Sequence, residues 1–457
     1  MKDRIVFIII LVCGISIAWV TADHHSLKTS KNRMSGKLDI EDILRHKPDG
    51  TPPRLEMETK YVVEGTPEML RNNSYLLELM HREVAMELKN ELQWQAPKYV
   101  NGSYTICPIG LGTFCFLDVY LDTPDFLNEK WNIAQRVRYR WHSRGGFIKY
   151  MLGDERPENF PHRCEYQLKA YRAEQTEGFY ISNEARFEFR NESLPFKQDN
   201  SAPPPPWRFE EFIPPAITGM YNNYHTWFSY EYARYLSEVE PNIKEVELAP
   251  CLVTIMTRRR FHLNLPTSWG QTAGTLGMGS MVNAAQAMVI TLDTNEVYRP
   301  DILDVYFLSR EAKQKNILSK KLLRQLKNRF VPVGVYTEAE FEFERNVESA
   351  LHEEMKHTPT ASEAQHLHEI ETAFLKDEAL VCQIVRRALL KAGLTASPTD
   401  LSKYRKDRQI LRSNGTVGLN FSSAPYTVKG PKDSGKHMNF DTNTGSGSAS
   451  MPDDNWR

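Results

Sequence analysis

In one strand-like segment after another, charged residues recur at every second position. Glu56, Glu58 and Lys60 share one side of a run that begins at Arg54. Arg136, Arg138 and Arg140 do the same in 132–141, and Glu165, Gln167 and Lys169 in 164–171. Glu184, Arg186, Glu188 and Arg190 follow in 184–190, and Glu338, Glu340, Glu342 and Glu344 in 333–345. Within the cluster Arg258-Arg259-Arg260, alternation takes Arg258 and Arg260 to one face. Guanidinium and ammonium groups hold phosphate oxygens, whereas carboxylates hold hard divalent cations such as Mg²⁺ or Mn²⁺. The opposite faces carry mostly Phe, Leu, Val, Ile and Tyr. One reading makes each charged face the solvated side of a half-buried antiparallel strand. The other turns the charged faces inward around a lumen, where buried charge is tolerable if phosphate and metal are held together. Repetition over so many strands favours the second.

The elements that must position these residues are largely readable. Strand patterns occupy 54–60, 113–121, 132–141, 164–171, 184–190, 246–264, 285–298 and 333–345. Helical spacing marks 66–92, a basic segment at 309–329, and about 347–393. Pro203 to Pro206 sit in a proline- and aromatic-rich stretch, read as an insertion around 195–240. After Ala396 the composition turns to Ser, Gly, Asn and Lys, so 396–457 reads as a disordered tail. No internal repeat is visible.

Composition and ends narrow the class. The 457 residues are 41% hydrophobic and 25% charged, ordinary for a globular protein. A net charge of −1 provides no global basic field for nucleic acid or an anionic membrane, so any anion site is local. Lys2 and Arg4 precede an apolar run from Ile5 to Val20, and Val20-Thr21-Ala22 offers a small-residue cleavage site. Residues 1–22 thus read as a signal peptide and 23–53 as a flexible leader, with an uncleaved signal anchor as the alternative. The implied location is secreted or lumenal. Sequons at Asn72, Asn101, Asn191, Asn414 and Asn420 agree. Cys107 and Cys115 are close enough in sequence to close a small loop, a possible disulfide in an oxidising compartment. No Cys/His spacing suggests zinc.

Several of these segments resemble, in order, the strands of the CYTH superfamily of triphosphate tunnel metalloenzymes. Glu56-Met57-Glu58-Thr59-Lys60 is similar to its ExExK strand, and Tyr120-Leu121-Asp122-Thr123-Pro124-Asp125 to its Y-(Y/F)-D-T-P-D segment. Ala134-Gln135-Arg136-Val137-Arg138 resembles A-L-R-x-R, with Gln135 in place of leucine. Leu168-Lys169, Arg186-Phe187-Glu188 and the cluster at 258–260 resemble the later lysine, R-x-E and arginine strands. Val289-Ile290-Thr291-Leu292-Asp293-Thr294 resembles a strand of the polyphosphate-polymerase (VTC) branch, and Glu340 and Glu342 a closing E-x-E.

The resemblance implies an α+β fold, an antiparallel eight-stranded β-barrel (a triphosphate tunnel) with flanking helices. It would span 54–345, followed by a helical segment at 346–395. Lys60, Arg136, Arg138, Lys169, Arg186 and Arg260 would grip phosphates. Glu56, Glu58, Glu188, Glu340 and Glu342 would hold Mg or Mn, and Glu56, Glu58 and Lys60 would be catalytic. The expected partner is inorganic triphosphate or polyphosphate, and the expected activity a metal-dependent phosphohydrolase. A non-catalytic phosphate binder, a structural extracellular protein and a polyphosphate polymerase-like transferase are the alternatives. Asp122-Thr123-Pro124-Asp125 also reads as a turn with Asx-type hydrogen bonds, and His81, His142, His162 and His262 have no ligand spacing.

Overall fold

The computed structural model describes residues 54–65, 86, 106–107, 114–171, 179–190, 245–266, 272, 275–276, 285–343, 360–399, 401–414 and 426–429. Its strands are β1 (Arg54–Glu64), β2 (Ile106–Cys107), β3 (Phe114–Asp122), β4 (Ile133–Trp141), β5 (Arg163–Tyr171) and β6 (Phe179–Arg190). They continue as β7 (Glu245–Pro266), β8 (Ala285–Tyr298), β9 (Gly334–Phe343), β10 (Thr395–Pro398) and β11 (Tyr426–Lys429). The helices are α1 (Leu127–Lys130), α2 (Arg144–Met151), α3 (Asp304–Gln314), α4 (Lys320–Lys327), α5 (Ala361–Lys391) and α6 (Lys403–Ser413).

Alternation in the sequence produces one large antiparallel sheet, so the architecture is α+β. Its order is β10-β1-β6-β5-β4-β3-β7-β8-β9, with β2 and β11 pairing β7. Strand β1 carries a further ladder to β9, from Glu58 opposite Glu342 to Val63 opposite Thr337. Its other edge pairs β6 over Arg54–Thr59 and β10 over Tyr61–Glu64.

The two faces of the sheet differ as their residues require. Cys115, Leu117, Val119 and Leu121 of β3 and Val137, Tyr139 and Trp141 of β4 are buried on one face, in a core shared with α2, α3 and α4. Fully burying a side chain such as Leu117 or Val119 contributes about 1.5–3 kcal/mol. α2 starts where the Ser143 hydroxyl caps the N–H of Gly146, and the Trp141 indole donates to the Asn159 carbonyl under it at 2.8 Å. α5 begins with a reciprocal capping box between Thr360 and Glu363 and lies inside the expected segment 346–395.

Two sequence expectations are corrected. Residues after Ala396 were expected to be irregular, yet 395–398 form β10 and 403–413 form α6. The inward side of α6 carries Lys403, Lys406, Asp407 and Arg408, all buried, so it leaves little apolar stripe to read. The expected Cys107–Cys115 bridge is absent: Cys115 is a free, buried thiol. Cys107 pairs with His262 of β7 and Cys115 with Thr257. At ~3.3 Å per residue those partners are about 16 Å apart, beyond the ~7 Å Cα limit of a disulfide.

The expected signal peptide, the leader, most of the helix at 66–92, the insertion at 195–240, Glu344 and the sequons at Asn72, Asn101, Asn191 and Asn420 lie outside the described residues. Among the described residues no helix is long and apolar enough to cross a membrane.

Candidate functional site

The strand registers place the expected charged residues on one face. Lys60 of β1 lies opposite Glu340 of β9, and Glu56 opposite Ser182 of β6. Arg136 lies opposite Tyr120 on one side and Gln167 on the other, and Arg138 opposite Asp118 and Glu165. Lys169 lies opposite Glu184, and Arg258 opposite Asp293. In the β5–β6 ladder Arg186 lies opposite Gln167 and Glu188 opposite Glu165.

The side chains on this face form three linked groups. In the first, Lys169 pairs with Glu56 and lies 3.9 Å from Glu58 and 3.8 Å from Glu184. Burial, then the neighbouring Glu56, raises the carboxyl of Glu58 above its ordinary range. In the second, a single carboxylate serves two arginines. Asp118 takes Arg138 through two bonds of 2.7 Å and Arg136 at 3.1 Å. Arg136 also donates to Gln167 at 2.7 Å and to the Tyr120 hydroxyl at 3.0 Å. Burial alone would raise the Asp118 carboxyl, but the two guanidiniums override it and hold it down at about 2.

The third group brings β1, β7, β8 and β9 together with α6. Lys60 lies 2.6 Å from Glu58 and 3.5 Å from Glu340. Arg258 donates to Asp293 at 2.8 and 2.6 Å and to Glu340 at 2.5 Å. Lys403 of α6 adds its ammonium 2.6 Å from Asp293, 2.8 Å from Glu340 and 3.5 Å from Glu338. Lys406 lies 2.7 Å from Glu338, and Thr254 donates to Asp407 at 2.8 Å. Burial pushes the Glu340 carboxyl upward, but Lys403, Lys60 and Arg258 bring it well below its ordinary range.

α6 is seated at the end of the sheet where β3 finishes and β4 begins. The Ser402 hydroxyl caps it, accepting from the N–H of Arg405. Tyr404 stacks on Tyr120 with ring centroids 5.2 Å apart and hydrogen-bonds Asp122. Arg408 and Arg412 reach the Glu129 carboxylate at 3.2 and 2.6 Å. Asp122 itself accepts the backbone N–H of Thr123 at 2.7 Å, Asn128 at 2.9 Å and Glu129 at 3.2 Å. These bonds are the Asx-type ones expected of a turn at this segment.

The oxygen-rich donor set suits a hard cation in chemical type, but its arrangement among the described residues does not fit one. Among the described residues no group of three or more Asp, Glu, His or Cys is disposed to hold a metal ion. Glu56, Glu58 and Glu340 are engaged by Lys169, Lys60, Lys403 and Arg258. Glu342 is half-buried opposite Glu58 in the β1–β9 ladder. Of the two arginines sharing a face on β7, Arg258 reaches the carboxylates, while Arg260 lies 5.6 Å from the Phe114 ring.

Sequence reasoning missed Asp118, Asp293, Glu338, Lys403, Tyr404, Lys406 and Asp407 as site residues. The first three were available as every-second residues on the same strand faces. The α6 residues carried no such signal.

No protein-family profile matches the chain, and no curated protein matches it. Among solved structures, it is similar to a Hippeastrum protein, the candidate adenylyl cyclase HpAC1, reported to have a dominant triphosphatase activity. That likeness has 13% identity and a TM-score of 0.27, covering 78% of this chain and 95% of that one. A candidate adenylate cyclase of Bacillus halodurans is similar at 12% identity and a TM-score of 0.24, covering 68% of this chain and 95% of that one. Superpositions this loose carry no conclusion about what this chain does.

Proposed function

We propose that the chain is a tunnel protein that binds linear inorganic triphosphate or polyphosphate. Closing the sheet through the β1–β9 ladder gives eight strands, β1-β6-β5-β4-β3-β7-β8-β9, with the charged face as lumen. The observation that carries the ligand class is the sharing of one carboxylate, Asp118, by two guanidiniums on a buried face. Two guanidiniums against one carboxylate carry positive charge that an oxyanion chain can answer. The ordered resemblance to triphosphate tunnel enzymes supports the same ligand class. The apolar run at residues 5–20 and the sequons support a secretory address.

Binding without turnover is the reading the geometry favours. Glu56, Glu58 and Glu340, three of the five carboxylates expected to serve Mg or Mn, are held by lysine and arginine, which satisfies their charge without a divalent cation. Titration calorimetry with tripolyphosphate, with and without Mg²⁺, tests this directly. Binding independent of Mg²⁺, abolished in Arg136→Gln/Arg138→Gln, is the expected result. Absence of binding overturns the ligand class. Phosphate release that requires Mg²⁺ and disappears in Glu56→Ala/Glu58→Ala overturns the non-catalytic reading in favour of a phosphohydrolase.

A further inference from the structure

At the end of the sheet away from α6, β3 begins, β4 ends, β5 begins and β6 ends. Registers there place Arg140 opposite Arg163, and Arg163 opposite Arg190. Like charges directly opposite on neighbouring strands are destabilising unless something compensates them. Among the described residues, the carboxylate of Glu165 pairs with Arg163 and also accepts from Gln167. Aromatic faces take up part of the charge. Arg140 lies 3.8 Å from the Phe114 ring centroid and 5.6 Å from that of Phe116, and Arg260 lies 5.6 Å from Phe114.

Two imidazoles complete this end. His142 and His162 stack with centroids 3.8 Å apart and planes 9° from parallel, and the backbone N–H of His162 donates to the Arg140 carbonyl at 2.9 Å. The Nε of Arg140 and the Nδ1 of His162 are buried without a hydrogen-bond partner among the described residues. Burial, followed by Arg260 and Arg163, lowers Arg140 to about 9, and burial, His142 and Arg140 lower His162 to about 3. Buried donors crowded by neighbouring positive charge are ones that an anion between them would stabilise.

We propose that Arg140, Arg163, His142 and His162 form a second anion subsite, which takes the phosphates of a chain too long for the central Arg136/Arg138 group. The inference rests on the tunnel reading and deepens it. α6 occupies one end of the sheet, and this arginine row lies at the other. Arg136, Arg138 and Arg140 then form a ladder along β4, with steps of about 7 Å. The ligand so selected is long-chain inorganic polyphosphate rather than tripolyphosphate.

The test compares tripolyphosphate with polyphosphate of tens of units, at equal chain concentration, on the full chain and on Arg140→Gln and Arg163→Gln. The wild type is expected to bind the long chain more tightly. Each variant should lose about tenfold or more of that affinity, while tripolyphosphate affinity stays within about twofold. Arg163, at the strand end, guards against a folding defect of Arg140→Gln, and melting curves of both variants are compared with the wild type. Tripolyphosphate binding with no preference for the long chain overturns this inference and leaves the parent reading standing. Long-chain binding that depends on Arg140 without any tripolyphosphate binding supports the subsite and sinks the central one. A wild type that binds neither overturns both, and one that binds a heparin or RNA oligomer equally well, with the same losses, overturns the choice of ligand.

Discussion

The Nζ of Lys403 lies 2.6 Å from Oδ2 of Asp293, a residue 110 positions earlier in the chain. The same ammonium lies 2.8 Å from Glu340, so a lysine delivered by the C-terminal helix joins two strands of the sheet. Without α6, Asp293, Glu338 and Glu340 would gather more negative charge than Arg258 and Lys60 balance. With it, each carboxylate has an ammonium or guanidinium within 3 Å. Helix and charged face are therefore one structural unit, although about 60 residues separate α6 from β9.

Replacing Lys403 by Met keeps the length of the side chain and removes its charge. Breaking a buried pair from one side costs about 3–5 kcal/mol, because the partner carboxylates stay buried. Denaturant unfolding of Lys403→Met should show a loss of that order. The vacated carboxylates should then accept Mg²⁺ or Mn²⁺, raising the melting temperature of the variant but not of the wild type. A wild type stabilised by either ion as strongly as the variant would count against the lysine occupying that position.

Asp118 gives a prediction in acid. Its carboxyl sits at about 2 in the fold, against an ordinary 3.8. A lowered folded pKa contributes stability that is present above pH 3.8 and lost as pH falls through about 2. The stability gap between wild type and Asp118→Asn should therefore include roughly 2 kcal/mol at pH 7 that falls to about 0.4 kcal/mol at pH 2. Chemical unfolding at both pH values measures it. An equal gap at both would mean that the two guanidiniums do not hold the carboxylate down.

Much of the sheet was legible because its chemistry is periodic. The strands expected at 113–121, 132–141, 164–171 and 285–298 are β3, β4, β5 and β8 within a residue or so at their ends. Alternation also foresaw which side chains share a face, since period two puts Arg136 with Arg138 on β4 and Gln167 with Lys169 on β5, although the register that pairs Arg136 with Gln167 does not follow from it. The same periodicity could not locate α6. A helix that buries Lys403, Lys406, Asp407 and Arg408 looks in sequence like a solvated one, because its inward stripe is charged. Its docking is written in carboxylates on distant strands. The ion pairs that replace metal ligation were hidden for the same reason, since they need both partners to be seen together.

Asp407 should make the seat of α6 sensitive to pH. Burial lifts its carboxyl from 3.8 to about 7 in the fold. A raised folded pKa contributes stability that is complete below pH 3.8 and lost as pH rises through about 7. Asp407→Asn keeps an oxygen to accept from Thr254 and cannot ionise. The variant should melt close to the wild type at pH 4 and above it at pH 8. A wild type that melts higher than the variant at pH 8 would mean that the fold stabilises the Asp407 carboxylate in its charged form, the opposite of a raised pKa.

Gly334, the first residue of β9, tests whether α6 must lie as close as it does. A Cβ placed on Gly334 would collide with Cγ2 of Ile410 on α6. Ile410 packs with Tyr336 and Val333 around the core that holds Tyr404 and Tyr120. Gly334→Ala should cost about 1–3 kcal/mol by overpacking. Ile410→Ala removes the obstructing methyl, so the double variant should be more stable than the two separate losses predict. Amide exchange gives the readout that connects packing to the charged face. In Gly334→Ala, the amides of α6 should exchange faster while those of β4 keep their protection. Ile410→Ala added to Gly334→Ala should restore slow exchange in α6. Uniform loss of protection across the sheet would show instead that Gly334 serves the fold as a whole and not the seating of Lys403 against Asp293.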